Sequence, residues 1–318
     1  MTVIGIDLGA NHVRYVHNNQ ILFDEPGRIA YDNTNKPIAI GWQALDLTGQ
    51  SKICSISSIQ HLEAFLEELF AEFNTFSVFS RTDVFMCFPS TFSEKKCEQI
   101  CQFIIKKGAR EVIYDQAIWC VACSKALSFQ SNNPTCLLYL DQQEATIVTL
   151  ANSEIQSQES YSIHGRHIDE SIRQWILQKY RIQLSHQSLE SLMEHIGQIN
   201  PQKTPLRIQI HGIDTKTQKM KTILVDKNQV AHALSDIASQ WVHWIYQFIS
   251  KQEKATQQAI IQNGVYCCGQ AMTLNGLGSF FQSQLRIPFH LLQPCDQLTT
   301  IGIQEILKQF EGGILDED

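Results

Sequence analysis

The sequence predicts an α/β protein made of two similar halves, each a mixed sheet flanked by helices, and three observations support that class. The first is the opening stretch VIGIDLGANHVRYV, residues 3–16. There an apolar run delivers Asp7 and Gly9 into a tight turn, and a second β-rich run, His12 to Val16, leads away. A similar strand–turn–strand unit recurs at 135–150, with DQQEA between the apolar runs Thr135 to Leu140 and Thr146 to Leu150. Between the two units strands alternate with helices, a rhythm that implies parallel strands covered by helices.

In chain order, Gln20 to Phe23 reads as a third strand of an antiparallel start, turned by Asp24-Glu25-Pro26 because proline removes a ladder donor and fixes φ. Arg28 to Tyr31 and Pro37 to Gly41 flank the turn-rich DNTN and pair as a hairpin. From Ile59, the positions Leu62, Phe65, Leu66, Leu69, Phe70 and Phe73 recur at three and four residues and lay one apolar stripe along a helix. Val84 to Phe88 is a strand. Thr91 with Glu94 reads as a capping box opening a helix that stops at Gly108. Glu111 to Tyr114 and Ala117 to Leu127 follow as strand and helix. In the second half, helices are expected from His167 to Tyr180, Ser188 to Ile196, Val230 to Phe248, Leu274 to Leu285 and Leu298 to Phe310. A hairpin is expected over Leu206 to His211 and Lys221 to Val225, and a strand over Gly264 to Cys268. The closing DED reads as a solvating tail.

At 318 residues with 43% hydrophobic residues, the chain is long enough for about two cores. A formal charge of −7, a pI near 5.9 and the lack of a Lys/Arg cluster argue against a nucleic-acid surface. The first residues run straight into a strand, and no apolar run reaches the roughly 18 residues that span a bilayer, so a cytoplasmic protein is expected. The 10 cysteines are expected to be reduced. Cys120 and Cys123 have the redox and zinc spacing, but they lie in an apolar run without a second CxxC or a nearby His, which favours core packing; no metal site is expected. Cys267 and Cys268 read as the end of a buried strand for the same reason.

Two stretches suggest chemistry. Amides at the turn after the first strand are placed to cradle a phosphate, since Gly9 lets oxygens approach, and Asp7 is placed to hold Mg²⁺ through water. Asp-x-Gly equally marks an ordinary hairpin turn, and the residues alone leave both readings open. Phe76, Val78 and Phe79 fall in a short polar-flanked loop, either tucked beneath it or exposed as a wedge for a membrane or partner.

The order of these elements resembles the MreB/Mbl bacterial actins. GIDLGANHVRYV followed by ILFDEP is similar to their GIDLGTANT…V and NEP-type turn, and FPSTFSEKKCEQICQFIIKKGAREV to their second βα unit. HGRHIDESIRQWILQKY resembles the helix after their second phosphate loop, LESLMEHIG their AExIKxEIG, HGIDTKTQ their GxDLxTG and GVYCCGQAMTLNGL their GIxLTGGGALLxGL. The resemblance covers nearly the whole chain. It implies a two-lobed actin-like fold with nucleotide in the cleft. The first lobe would span 1–133 with a small subdomain at about 28–80, and the second 134–318 with one at about 183–255.

The family's chemistry is largely missing. Where its second phosphate loop reads DIGGGTT, this chain has Tyr139, Leu140, Asp141, Gln142, Gln143, Glu144 and Ala145. Side chains replace bare backbone, and a carboxylate ~4 Å from a phosphate costs about 4 kcal/mol at an effective dielectric near 20. The catalytic carboxylate of the EEP motif is replaced by Gln116, with Ala117 and Ile118 after it, and Asp115 stands one residue early. Asp7, Gly9 and Asn11 remain in the first loop. In the adenosine pocket Glu190 matches while Met193 replaces a Lys, and of three loop glycines only Gly269 survives, followed by Gln270 and Ala271. Weak or no binding of ATP and Mg²⁺ is therefore expected. The resemblance further implies a cell-shape cytoskeletal protein that forms filaments with itself or joins those of an intact MreB paralogue, and a peripheral contact of Val78 and Phe79 with the inner face of the membrane. Two alternatives stay open: an active ATPase using Asp115 or Gln116, and a non-polymerising actin-fold adaptor.

Overall fold

A computed structural model describes residues 2–9, 12–76, 81–124, 127, 132–199 and 206–311. The chain divides into two compact units, Met1–Leu127 with Gln297–Asp318, and Ser128–Asp296.

In the first unit come β1 (Thr2–Leu8), β2 (His12–His17), β3 (Gln20–Pro26), β4 (Arg28–Tyr31), β5 (Pro37–Ile40), α1 (Gly41–Asp46), β6 (Lys52–Ser55), α2 (Ile59–Glu72), β7 (Thr82–Phe88), α3 (Glu94–Lys107), β8 (Glu111–Gln116) and α4 (Ala117–Cys123). The second unit holds β9 (Thr135–Leu140), β10 (Ala145–Ala151), β11 (Glu154–Ser160), α5 (Arg166–Tyr180), β12 (Ile182–Gln183), α6 (His186–Ile196), β13 (Arg207–Asp214), β14 (Met220–Asp226), α7 (Lys227–Lys251), α8 (Lys254–Asn263), β15 (Val265–Cys268), a short 3₁₀ turn (Gln270–Thr273), α9 (Leu277–Leu285) and β16 (Phe289–Leu291). The last helix, α10 (Leu298–Glu311), belongs to the first unit.

The two units repeat one sheet. Its strand order is β3-β2-β1-β7-β8 in the first and β11-β10-β9-β15-β16 in the second. In each, an antiparallel meander supplies three strands, and two parallel strands are added beyond its first strand. A small three-stranded sheet accompanies each, β5-β4-β6 and β12-β13-β14. Apolar periodicity explains the packing. The stripe Leu62, Phe65, Leu66, Leu69 and Phe70 of α2 is buried in the first core, and Val230, Leu234, Ile237, Trp241, Trp244 and Phe248 of α7 in the second. Trp241 and Trp244 keep their indole N–H groups satisfied on the Ile163 carbonyl at 2.7 Å and Glu159 Oε1 at 3.0 Å.

Several boundaries differ from the sequence reading. Asp24, Glu25 and Pro26 continue β3, because β3 is an edge strand where proline loses no ladder bond. The cap of α3 is Ser93, whose side chain accepts from the Lys96 amide, rather than Thr91. The helix from Ala117 ends at Cys123, four residues before Leu127. Leu274 precedes α9, after the 3₁₀ turn. Placing 134–318 in one lobe also misplaces α10, which packs on β1 and α4: a Cβ at Gly5 would strike Ile303, and one at Gly302 would strike the Cys120 carbonyl. Among the described residues no helix is long and apolar enough to cross a membrane.

Candidate functional site

In the first unit β1 brings Asp7 to its end, and the carboxylate is buried at 1% exposure. Its Oδ2 accepts hydrogen bonds from Thr299 Oγ1 at 2.6 Å and Thr300 Oγ1 at 2.7 Å, both on α10. Arg14 is the register partner of Asp7 on β2 and of Asp24 on β3. Its Nη1 lies 3.7 Å from Asp7 Oδ2 and its Nε 3.1 Å from Asp24 Oδ1, which His12 Nδ1 also reaches at 2.8 Å. Burial pulls the Asp24 carboxyl upward, but the bond from His12 and the charge and bond of Arg14 outweigh it, so it ends below the ordinary 3.8. At Gly9 a Cβ would come within 2.9 Å of the His12 carbonyl, so the turn needs glycine for close backbone approach.

Asp115 and Gln116 end β8. In register, Asp7, Cys87 and Asp115 line up across β1, β7 and β8, so the backbones of Asp7 and Asp115 lie two strand spacings, about 10 Å, apart. Asp115 Oδ1 accepts the Gln116 amide at 2.7 Å, and burial raises its carboxyl above the usual range. Gln116 is exposed.

In the second unit, the β9–β10 hairpin is closed by the Asp141 amide on the Glu144 carbonyl at 2.8 Å. Asp141 Oδ1 accepts the Gln270 amide at 3.1 Å. Glu144, 2% exposed, accepts from Thr146 Oγ1 at 2.9 Å. The carbonyls of Asp141 and Gln142 accept the amides of Gly165 and Arg166, at 2.8 and 2.9 Å, where α5 begins. Helix-start and loop amides are the donors that greet an anion; here they serve oxygen atoms of the hairpin itself. Gly269 has φ +98°, and a Cβ there would strike the Leu140 carbonyl, so this glycine is explained by close packing of strand ends. Behind the hairpin, the His164 and His167 rings lie 4.4 Å apart, and burial, then His167, holds His164 below the usual histidine range.

Beside the hairpin is a cavity of about 330 Å³, lined among others by Gln142, Ile168, Met193, Lys227, Gln270 and Asn275. That is the small end of the range for ligand pockets. The residues present do not fit a triphosphate at the hairpin, since Asp141 takes the amide of Gln270 and Glu144 adds a second carboxylate, this one buried.

Of the residues singled out from sequence, Gln142, Met193, Gln270 and Ala271 line this cavity and Asp141 accepts the Gln270 amide, while Asp7 and Gly9 share the first turn and Asp115 and Gln116 the end of β8. Gln143 belongs to the hairpin turn. Asn11, Val78, Phe79 and the closing DED lie outside the described residues, as does the side chain of Glu190. Sequence reasoning missed Arg14, Thr299 and Thr300. Arg14 could have been found, because a hairpin tight enough to turn at Gly9 places it opposite Asp7. Among the described residues no group of three or more His, Cys, Asp or Glu is arranged to hold a metal ion. Burial pushes the thiols of Cys123 and Cys267 up to about 12, which keeps them protonated and poor as ligands or nucleophiles.

Two repeated mixed sheets, each with a turn loop at the end of its first strand, define a protein of the actin-like class. The fold matches Spiroplasma citri MreB5 bound to AMPPNP with a TM-score of 0.89 at 19% identity over 98% of both chains, and the MamK double helical filament with 0.78 at 14% over 98% of both. A model of the MreB/Mbl protein family matches residues 1–313, and the chain belongs to that family. Similar curated relatives are the cell shape-determining proteins Mbl of Bacillus subtilis, 23% identical, and Bacillus cereus, 22% identical, each over 97% of this chain and 96% of the relative.

Proposed function

We propose that this protein is a cell-shape cytoskeletal element that assembles, alone or within filaments of an intact MreB paralogue, without hydrolysing ATP. One observation supports it above all: the carboxylate of Asp141 holds the Gln270 amide at 3.1 Å, so the second phosphate loop is closed on the protein's own charge. Relatives of this fold bind AMPPNP and ADP, and one forms a double helical filament. In this chain the filament role is retained and the nucleotide role given up. Membrane contact through Val78 and Phe79 belongs to the same reading. Burying such a pair contributes roughly 3 to 5 kcal/mol, so single copies bind weakly and filaments much better.

A second reading, a divergent ATPase, has Asp115 in its favour, since a carboxyl raised by burial suits a general base. Against it, Asp115 Oδ1 accepts the Gln116 amide. Phosphate release with Mg²⁺-ATP separates the two. The proposal expects no release above buffer at any protein concentration. Turnover that Asp115→Asn removes would establish the ATPase instead.

A further inference from the structure

Asp7 is the residue that the sequence offers to a hydrated Mg²⁺, and its surroundings do not suit one. A hydrated Mg²⁺ approaches a carboxylate through water hydrogens and keeps a near-octahedral shell. On Asp7 Oδ2 the donor positions are taken by Thr299 Oγ1 and Thr300 Oγ1, at 2.6 and 2.7 Å. The positive charge is supplied too. Arg14, 9% exposed, places Nη1 3.7 Å from the same oxygen and is held from the other side by Asp24, Nε to Oδ1 at 3.1 Å. The trio is fixed by strand register, Asp7 opposite Arg14 and Arg14 opposite Asp24, so the guanidinium is built into the sheet. A guanidinium stays charged at every accessible pH and would repel a divalent ion brought beside it.

We infer that Arg14 is a resident cation in the place of a divalent metal, so that the buried Asp7 carboxylate is answered without Mg²⁺. Its consequence for assembly, indifference to Mg²⁺, rests on the proposed function; the exclusion of the metal does not. The test is therefore made on protein held below any concentration at which it pellets, without nucleotide. Thermal melts in EDTA and in 10 mM MgCl₂ are compared for the wild type, Arg14→Lys and Arg14→Gln. The wild type and Arg14→Lys, which keeps the charge, melt at the same temperature in both buffers. Arg14→Gln melts lower in EDTA and recovers roughly 2–4 °C with Mg²⁺. Mg²⁺-dependent melting of the wild type that Asp7→Asn removes, or an Arg14→Gln variant as indifferent as the wild type, would overturn the inference. If Arg14→Gln does not fold, Mn²⁺ titration of the wild type followed by electron paramagnetic resonance decides. The free-ion signal persists undiminished if Arg14 excludes the metal, and stoichiometric loss of signal contradicts it.

Discussion

The two turns at the ends of β1 and β9 occupy the same place in a repeated sheet, yet each disposes of its carboxylate differently. At β1, Asp7 is buried and answered by side chains, the hydroxyls of Thr299 and Thr300 and the guanidinium of Arg14. At β9, Asp141 is half-exposed and answered by backbone, the amide of Gln270. The first arrangement is bound to α10, 292 residues away in sequence, so its loss is felt in the packing of the unit. The second closes a loop at the surface, so its loss is felt chiefly as amides regained by solvent or ligand. One fold thus answers a turn carboxylate in two ways, once by a buried ion pair with two hydroxyls and once by a backbone amide of the same unit.

Substitutions at the two turns test that contrast. The largest effect is expected for Asp7→Ala, which leaves Arg14 with one buried carboxylate fewer and orphans two hydroxyls. Chemical denaturation should register a loss of about 3 kcal/mol. A loss under about 1 kcal/mol would mean that Asp24 alone satisfies Arg14. Next comes Gly269→Ala, at positive φ and against the Leu140 carbonyl, with an expected cost of about 2 kcal/mol in the same measurement. Asp141→Ala should cost about 1 kcal/mol or less, because the Gln270 amide it exposes is near solvent. A cost as large as that of Asp7→Ala would erase the distinction between the turns.

The smallest expected effect is one of pH. Asp24 sits below its ordinary 3.8 in the folded protein, so its contribution is present above that value and is lost as pH falls through the lower folded value. In acid unfolding, Asp24→Asn should flatten the stability curve below about pH 4 relative to the wild type and lie beneath it at pH 7. Equal slopes would show that His12 and Arg14 together do not favour the charged form of Asp24 over the cost of its burial.

Much of this was legible in the residues. The stripes of α2 and α7, the apolar runs of β1 and β9 and the turn residues between paired strands fix local structure by periodicity and backbone preference, and they point to repeated halves. β11 escaped notice because EIQSQES is an edge strand of mainly polar residues and lacks an apolar run. The location of α10 is non-local: Gly5 and Gly302 permit its close approach, but neither says to which partner. At the candidate sites, the missing glycines of the second loop were plain. What replaced them, a carboxylate reaching a backbone amide 129 residues on, depends on tertiary distances that no spacing encodes. Arg14 lies between these cases, since the pairing of Asp7 with Arg14 follows from the hairpin while the hydroxyls above them do not.

Assembly freed from nucleotide is tested by sedimenting nucleotide-stripped protein in EDTA over a wide concentration range, with Mg²⁺-ATP samples in parallel. A pellet is expected above one threshold concentration, the same with and without Mg²⁺-ATP. Assembly only with Mg²⁺-ATP would contradict it, and no assembly under either condition would leave an actin-fold adaptor in its place.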